Sequence, residues 1–183
     1  EFDGVMANCE VYLNGKLLGK RPYGYISFAL NLNPLLNFGK PNTIAVRADN
    51  SVQPASRYYT GAGIYRHVRL VSTPTTHLKQ WGVFVSTPAA SEKIATIKIS
   101  SQIIQEGSAQ KGLSIQTSIV DANNITVATT TKINLSGANN ETIFQETTLA
   151  NAKLWSLEST YLYQAITRVY LNKDLIDEVK TPF

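Results

Sequence analysis

The chain has 183 residues, 43% hydrophobic and 16% charged, with 17 Lys and Arg against 13 Asp and Glu, a net charge of +4. That apolar share supports a real core and argues against disorder, and a small, scattered basic excess gives little footing for nucleic acid. Cys9 is the single cysteine, which excludes an internal disulfide and argues against cysteine-built zinc; no apolar run reaches the roughly 18 residues of a membrane helix. The length suits one large domain or two of about 90 residues. No signal peptide is visible. The chain opens Glu1-Phe2-Asp3 without an initiator Met and ends Lys180-Thr181-Pro182-Phe183. It reads as a piece of a longer protein, with a processed mature chain as the alternative.

Strand signals dominate from the start. Val11-Tyr12-Leu13, Asn14-Gly15 and Lys16-Leu17-Leu18 predict a hairpin, because Asn-Gly supplies the two positive-φ residues of a type I′ turn. Phe28, Leu30 and Leu32 alternate with Ala29, Asn31 and Asn33, the period of a half-buried strand. Pro34 to Pro41 reads as a loop with room for one helical turn, Thr43 to Ala48 as strand, and Asp49 to Thr60 as a long polar loop. Gly63 to Val71 returns to a strand pattern. Ser72-Thr73-Pro74-Thr75-Thr76 has the composition of a linker.

Beyond the linker the alternation is cleaner. Ala95, Ile97, Ile99, Ser101 and Ile103 share one face, opposed by Thr96, Lys98, Ser100 and Gln102. Leu113, Ile115, Thr117 and Ile119 form another such row, and Tyr161, Tyr163, Ala165, Thr167, Val169 and Leu171 a third. Turn-forming clusters separate them: Glu106-Gly107-Ser108, Asp121 to Asn124, Ser136 to Asn140 and Asn172-Lys173-Asp174. About seven strands between Leu78 and Lys180 predict an immunoglobulin-like sandwich. Trp81 and Trp155 are expected in its core or at an interface. The first segment carries only four or five strands, thin for a closed sandwich. No helix of ten residues is expected, so the chain reads as all-β.

Little here looks catalytic. His67 and His77 flank the linker with no third ligand at metal spacing, and His67, inside a strand pattern, is expected to be packed or hydrogen-bonded. Asp177 and Glu178 are adjacent, so on a strand they face opposite sides. A glycosidase needs two carboxylates converging at about 5 to 10 Å, and neither Asp3, Glu10 and Asp49 nor the scattered later carboxylates are spaced as such a pair. There is no Gly-x-Ser-x-Gly, P-loop or dinucleotide fingerprint. One stretch stands apart: Ser56-Arg57-Tyr58-Tyr59-Thr60-Gly61-Ala62-Gly63-Ile64-Tyr65-Arg66. Its glycines allow tight turns or close backbone approach. Its Arg and Tyr side chains offer donors and flat faces suited to sugars; a rigid loop with packed aromatics is the equal alternative.

That stretch resembles the Gly-(Gly/Ala/Ser)-Gly-Ile-Tyr-Arg signature closing the N-terminal sugar-binding domain of glycoside hydrolase family 2, the family of β-galactosidases, β-glucuronidases and β-mannosidases. Other matches follow in the family's order. Phe2-Asp3-Gly4-Val5 with Ala7 resembles its Phe-x-Gly-Val segment, which leads into Val-Tyr-Leu-Asn-Gly-Lys and Leu18-Gly19. Tyr23-Gly24-Tyr25 with Phe28 resembles its Gly-Tyr-x-x-Phe stretch. Asn42 to Arg47 with Asp49-Asn50 resembles its Asn-x-Ile-x-Val-x-x-x-Asn strand. Leu154-Trp155-Ser156 and Tyr161-Leu162-Tyr163 resemble the Leu-Trp-Ser and Pro-x-Leu-Tyr motif of its immunoglobulin-like domain, and Thr181-Pro182-Phe183 the start of the segment entering the catalytic barrel. Arg57-Tyr58-Tyr59 with the Gly-Ala-Gly loop looks most like the β-galactosidase branch. Two positions depart from the pattern: Lys20 or Arg21 stands for the usual His, and Arg57 for a galactose-binding Asp.

The resemblance implies a two-domain fragment. Residues 1–73 would be the second half of a jelly-roll sugar-binding domain, and residues 74–183 an immunoglobulin-like β-sandwich. It implies retaining hydrolysis of terminal β-glycosides in the parent, by two glutamates in a (β/α)8 barrel that cannot be assigned to any residue here. No cofactor or metal is expected. The expected partners are that barrel and a carbohydrate substrate, not nucleic acid or membrane, with homo-oligomer formation and compartment left open. Arg57, Tyr58 and Tyr59 are expected at the pocket rim or against the barrel, and Gly61, Gly63, Ile64, Tyr65 and Arg66 as the signature loop. The rival reading is a non-enzymatic carbohydrate-binding or adhesion protein built of sandwich modules.

Overall fold

A computed structural model describes residues 1–51 and 61–183. The chain divides into two compact units, Glu1–Ser72 and Thr73–Phe183, and both are built from β-structure.

The first unit contains β1 (Val5–Met6), β2 (Cys9–Leu13), β3 (Lys16–Arg21), β4 (Ile44–Arg47) and β5 (Gly63–Ile64). Strands β2 and β3 form the expected hairpin, with Asn14 at φ 52° and Gly15 at φ 79° in the left-handed region a type I′ turn requires. The strand order is β3-β2-β4, antiparallel throughout, while β1 pairs with β5. Cys9, Val11 and Leu13 turn inward along β2, and Cys9 and Val11 meet Phe2, Val5 and Phe28 in one apolar cluster. Phe2 and Phe28 stack with centroids 5.0 Å apart. The segment from Phe28 to Leu32 is not a strand. Phe28 makes a single bridge to Phe2, and the rest of the segment keeps alternating burial without a pairing partner. Within Gly63 to Val71 only Gly63–Ile64 is strand, with one bridge from Val68 to Phe2. The helical turn falls at Asn33–Leu35.

The second unit contains β6 (Thr76–Ala90), β7 (Ile94–Gln105), β8 (Leu113–Val120), β9 (Thr126–Thr129), β10 (Ile133–Asn134), β11 (Asn140–Ala150), β12 (Gln164–Leu171) and β13 (Asp174–Pro182). One sheet runs β11-β7-β6; the other runs β10-β8-β12-β13, with β9 also on β8. In chain order this sets the first, second and fifth principal strands against the third, sixth and seventh, the arrangement of an immunoglobulin-like sandwich. The inward rows are those the two-residue period marks: Ile97, Ile99, Ile115, Ile119 and Val169 are all at most 1% exposed. Asp177 on β13 accepts the Leu78 amide of β6 at 2.7 Å, tying the two sheets along an edge.

The core of this unit is divided by a polar layer. Ser101, Thr117, Gln145 and Thr167 are buried at the middle of β7, β8, β11 and β12. Thr117 Oγ1 donates to Gln145 Oε1 at 2.9 Å and lies 3.0 Å from Thr167 Oγ1. Gln145 Nε2 donates to Thr130 Oγ1 at 2.8 Å, and Thr130 Oγ1 accepts the Thr117 amide at 3.0 Å. On one side lies the cluster of Ile97, Ile99, Ile119, Leu149 and Ala165; on the other lie Leu78, Ile103, Ile115, Ile143 and Val169.

Neither tryptophan is in the core. Trp81 is 64% exposed and Trp155 57%. Four residues of β6, Lys79 to Gly82, oppose the single residue Gln102 of β7. This bulge puts Trp81 at φ 51° and turns its indole outward, since a bulge re-aims the side chains it carries. Trp155 lies in the loop between β11 and β12.

Two substitutions check the inward face. Ile99→Ala should cost about 2 to 5 kcal/mol of stability. Lys98→Ala, which loses only an exposed pair with Glu146 at 3.6 Å, should stay within about 0.5 kcal/mol. Denaturant melts of the chain giving equal losses would contradict the face assignment.

Candidate functional site

The signature loop is held by glycine packing and one hydroxyl. Gly61 and Gly63 have φ of 63° and 103°, conformations that cost a residue with a Cβ. Asn50 Nδ2 donates to the Gly61 carbonyl, and Gly63–Ile64 pairs with Val5–Met6. Chain pairing then aims Tyr65 at Gly4, where a Cβ would lie 2.6 Å from the ring. The Tyr65 hydroxyl donates to the Gly24 carbonyl at 2.9 Å. Gly24 in turn sits against Met6, with no room for a Cβ, which would meet the sulfur at 2.7 Å. Gly4, Gly24, Gly63 and Tyr65 thus form one clamp, assembled from stretches that the sequence shows only as separate motifs.

Two exposed tyrosines flank Gly24. The Tyr23 and Tyr25 rings are 5.7 Å apart, edge to face, and the Tyr25 and Tyr65 rings are 6.5 Å apart. The Arg66 guanidinium lies 5.3 Å from the Tyr65 ring centre. Of the expected site residues, Gly61, Gly63, Ile64, Tyr65 and Arg66 therefore come together at the clamp. Arg57, Tyr58 and Tyr59 lie outside the described residues. Tyr23 and Tyr25 are the members that sequence reasoning did not single out as site residues; their two-residue spacing around a glycine was the available signal.

Three carboxylates of this unit, Glu10, Asp49 and Asp3, are paired with cations. Glu10 accepts from Lys20 at 2.5 Å, from the Tyr12 hydroxyl at 2.6 Å and from Arg47 at 3.3 Å. The Lys20 bond, with the Tyr12 bond next, holds its carboxyl down at about 2. Asp49 pairs with Arg47 at 2.7 Å, and its pKa is lowered chiefly by the Ser51 hydroxyl. Asp3, bonded to Arg69 at 2.7 Å, is likewise lowered, the Arg69 hydrogen bond leading. A general acid needs the opposite shift, toward neutrality. Cys9 is packed in the core, and burial pushes its thiol up, away from nucleophile chemistry. His67 is not packed inside a strand: its side chain is 80% exposed, 3.6 Å from Asp3. Asp177 and Glu178 point apart as expected, Asp177 to the Leu78 amide and Glu178 to Arg168 at 2.7 Å.

Residues 76–183 match the model of glycosyl hydrolases family 2. This chain belongs to that family. Among family 2 proteins it is 40% identical to β-galactosidase BoGH2A of Bacteroides ovatus, over all of this chain and 22% of that protein. It is 41% identical to a putative β-glucuronidase of Formosa agariphila, over all of this chain and 17% of that protein. The chain therefore spans about a fifth of the length of these curated relatives. Among solved structures, a family 2 member from Bacteroides cellulosilyticus superposes with a TM-score of 0.93 at 33% identity, covering all of this chain and 25% of that one. A family 2 β-glucuronidase superposes with a TM-score of 0.90 at 28% identity, covering 100% of this chain and 21% of that one.

The clamp gives two checks on this family 2 chain. Tyr65→Phe, which removes only the hydroxyl, should cost about 0.5 to 1.5 kcal/mol in denaturant melts. Gly24→Ala, which forces a Cβ onto Met6, should cost about 1 to 3 kcal/mol. Glu10 supplies a pH test. Its native pKa is depressed, so the stability it contributes is present above its unfolded value and fades as pH falls toward about 2. Carboxyl NMR titration should find the Glu10 midpoint near that value, and Lys20→Met should move it upward.

Proposed function

We propose that this chain is the non-catalytic β-sandwich region of a β-galactosidase-like enzyme, supporting retaining hydrolysis of terminal β-glycosides. Residues 1–73 would belong to its sugar-binding jelly-roll domain and residues 74–183 to its immunoglobulin-like domain. The similarity to a named β-galactosidase along the whole chain carries this reading. The carboxylates agree with it: Asp3, Glu10 and Asp49 are each paired with Lys or Arg and lowered in pKa, opposite to the shift a general acid needs, and the hydrolytic pair is assigned to the barrel of the longer protein. There two carboxyl groups about 5 to 5.5 Å apart would form and break a covalent glycosyl intermediate. A β-glucuronidase is the second reading, favoured by the comparable identity to a protein of that description.

Arg57, Tyr58 and Tyr59 are assigned to the rim of the substrate pocket, or to contact with the barrel. They precede a clamp that fixes the chain from Gly61 onward, so a rim loop anchored there would keep a defined base. The test uses the longer enzyme with nitrophenyl β-galactoside and β-glucuronide side by side. Faster turnover of the galactoside supports the first reading; faster turnover of the glucuronide replaces it with the second. Arg57→Ala and Tyr59→Ala should each lower kcat/KM by about tenfold or more, with the melting temperature of the 183-residue chain nearly unchanged. The isolated chain should turn over neither substrate. A lowered melting point with unaltered kinetics per folded enzyme would make these residues structural.

A further inference from the structure

The second unit carries an apolar loop that its own core leaves uncovered. Residues 151–163 join β11 to β12, and within them Leu154 is 41% exposed, Trp155 57% and Leu157 84%. Hydrogen bonds nonetheless hold the loop in place. The Ser156 amide donates to the Ser159 carbonyl at 2.8 Å, and the Ser159 amide to Ser156 Oγ at 3.1 Å, enclosing Leu157 and Glu158. The Lys153 amide donates to the Tyr163 hydroxyl at 2.9 Å. Apolar side chains held out on a fixed backbone lose little freedom when a partner covers them, and Trp is enriched at the anchors of protein interfaces.

The last strand points to what covers them. Tyr163 and Phe183 exchange two backbone hydrogen bonds of 2.9 Å, and their rings stack with centroids 6.0 Å apart. Tyr161 meets Tyr163 edge to face at 5.0 Å. Tyr163 therefore binds the loop through its hydroxyl and Phe183 through its backbone, so chain running on from Phe183 starts beside the loop. The outward charges of β12 and β13 are by contrast paired within the unit, Arg168 with Glu178 at 2.7 Å and Lys180 with Glu178 at 3.8 Å. This chain spans only 22% and 17% of the two curated relatives named above. We infer that Leu154, Trp155 and Leu157 form the surface on which the barrel of the longer enzyme docks. The inference rests on the reading above that a barrel continues this chain.

Leu157→Cys supplies a probe at the most exposed of the three positions, and the native Cys9 is buried. Iodoacetamide labelling of the variant thiol, read by mass spectrometry of its peptide, is compared between the 183-residue chain and the longer enzyme. Labelling in the longer enzyme should be about tenfold or more slower. Trp155→Ala gives a second measurement: the apparent melting temperature of the 183-residue chain should stay within about 1 °C, and that of the longer enzyme should fall by about 2 °C or more. Equal labelling in the two proteins would overturn the docking surface. Equal melting shifts would overturn the place of Trp155 in it. Protection that is lost when the longer enzyme is diluted would assign the cover to a second copy and overturn the barrel. The activity reading fails separately: a longer enzyme that protects position 157 yet hydrolyses neither nitrophenyl glycoside refutes the activity and keeps the surface, and one that hydrolyses a glycoside while labelling freely does the reverse.

Discussion

The second unit depends on a compromise at the middle of its core. Its sheets face each other through strands of strict two-residue period, which alone would give a uniform apolar interior tolerant of slippage along the strands. The layer of Thr117, Gln145, Thr167 and Thr130 removes that freedom. Each bond in it contributes only about 0.5 to 1.5 kcal/mol net. A strand slipped by two residues would keep its apolar face inward but would bury these groups unpaired, at about 1 to 3 kcal/mol each. Gln145 matters most, because it reaches from β11 to Thr117 on the facing sheet and to Thr130 in the chain beyond β9. The register of the sandwich is set by what cannot be left without a partner, more than by what is attracted.

The first unit solves a different problem. Its strands are short, and β1 and β5 supply two residues each, so ladder hydrogen bonds alone hold the signature loop weakly. Contacts between stretches distant in sequence replace them: Tyr65 on Gly4 and Gly24, Gly24 on Met6, Asn50 on Gly61. At Gly4 and Gly24 the missing Cβ lets the Tyr65 ring and the Met6 sulfur come close. Rigidity around Gly61 to Arg66 therefore comes from close approach, and it is that rigidity which presents Tyr23, Tyr25 and Arg66 as a fixed surface.

What the sequence disclosed follows the same division. Periodicity placed Ser101, Thr117 and Thr167 on the inward faces together with the isoleucines, because the strand period is indifferent to polarity. It was silent on Gln145 as the partner of Thr117, since a cross-sheet hydrogen bond leaves no trace in local spacing. The Asn14-Gly15 turn was legible because its backbone needs are met by two residue types in two positions. Phe28 to Leu32 misled for the converse reason: burial alternates there, but pairing requires a neighbour, and only Phe2 provides one. Of the two places expected for Trp81, core or interface, the core is excluded because a bulge breaks the period at that point and turns the indole outward.

The signature loop separates what marks the family from what would select a sugar. Gly4, Gly24, Gly63 and Tyr65 are explained by local structure: a Cβ on Gly4 or Gly24 would meet Tyr65 or Met6, Gly63 holds a φ of 103°, and without the Tyr65 hydroxyl the Gly24 carbonyl loses its donor. None of this depends on the substituents of a substrate. The same scaffold can then underlie relatives described as β-galactosidase and as β-glucuronidase at nearly equal identity to this chain. Among the described residues of this unit Lys20, Arg47 and Arg69 are each paired with a carboxylate, while Arg21 rests on the Phe28 ring and Arg66 on the Tyr65 ring.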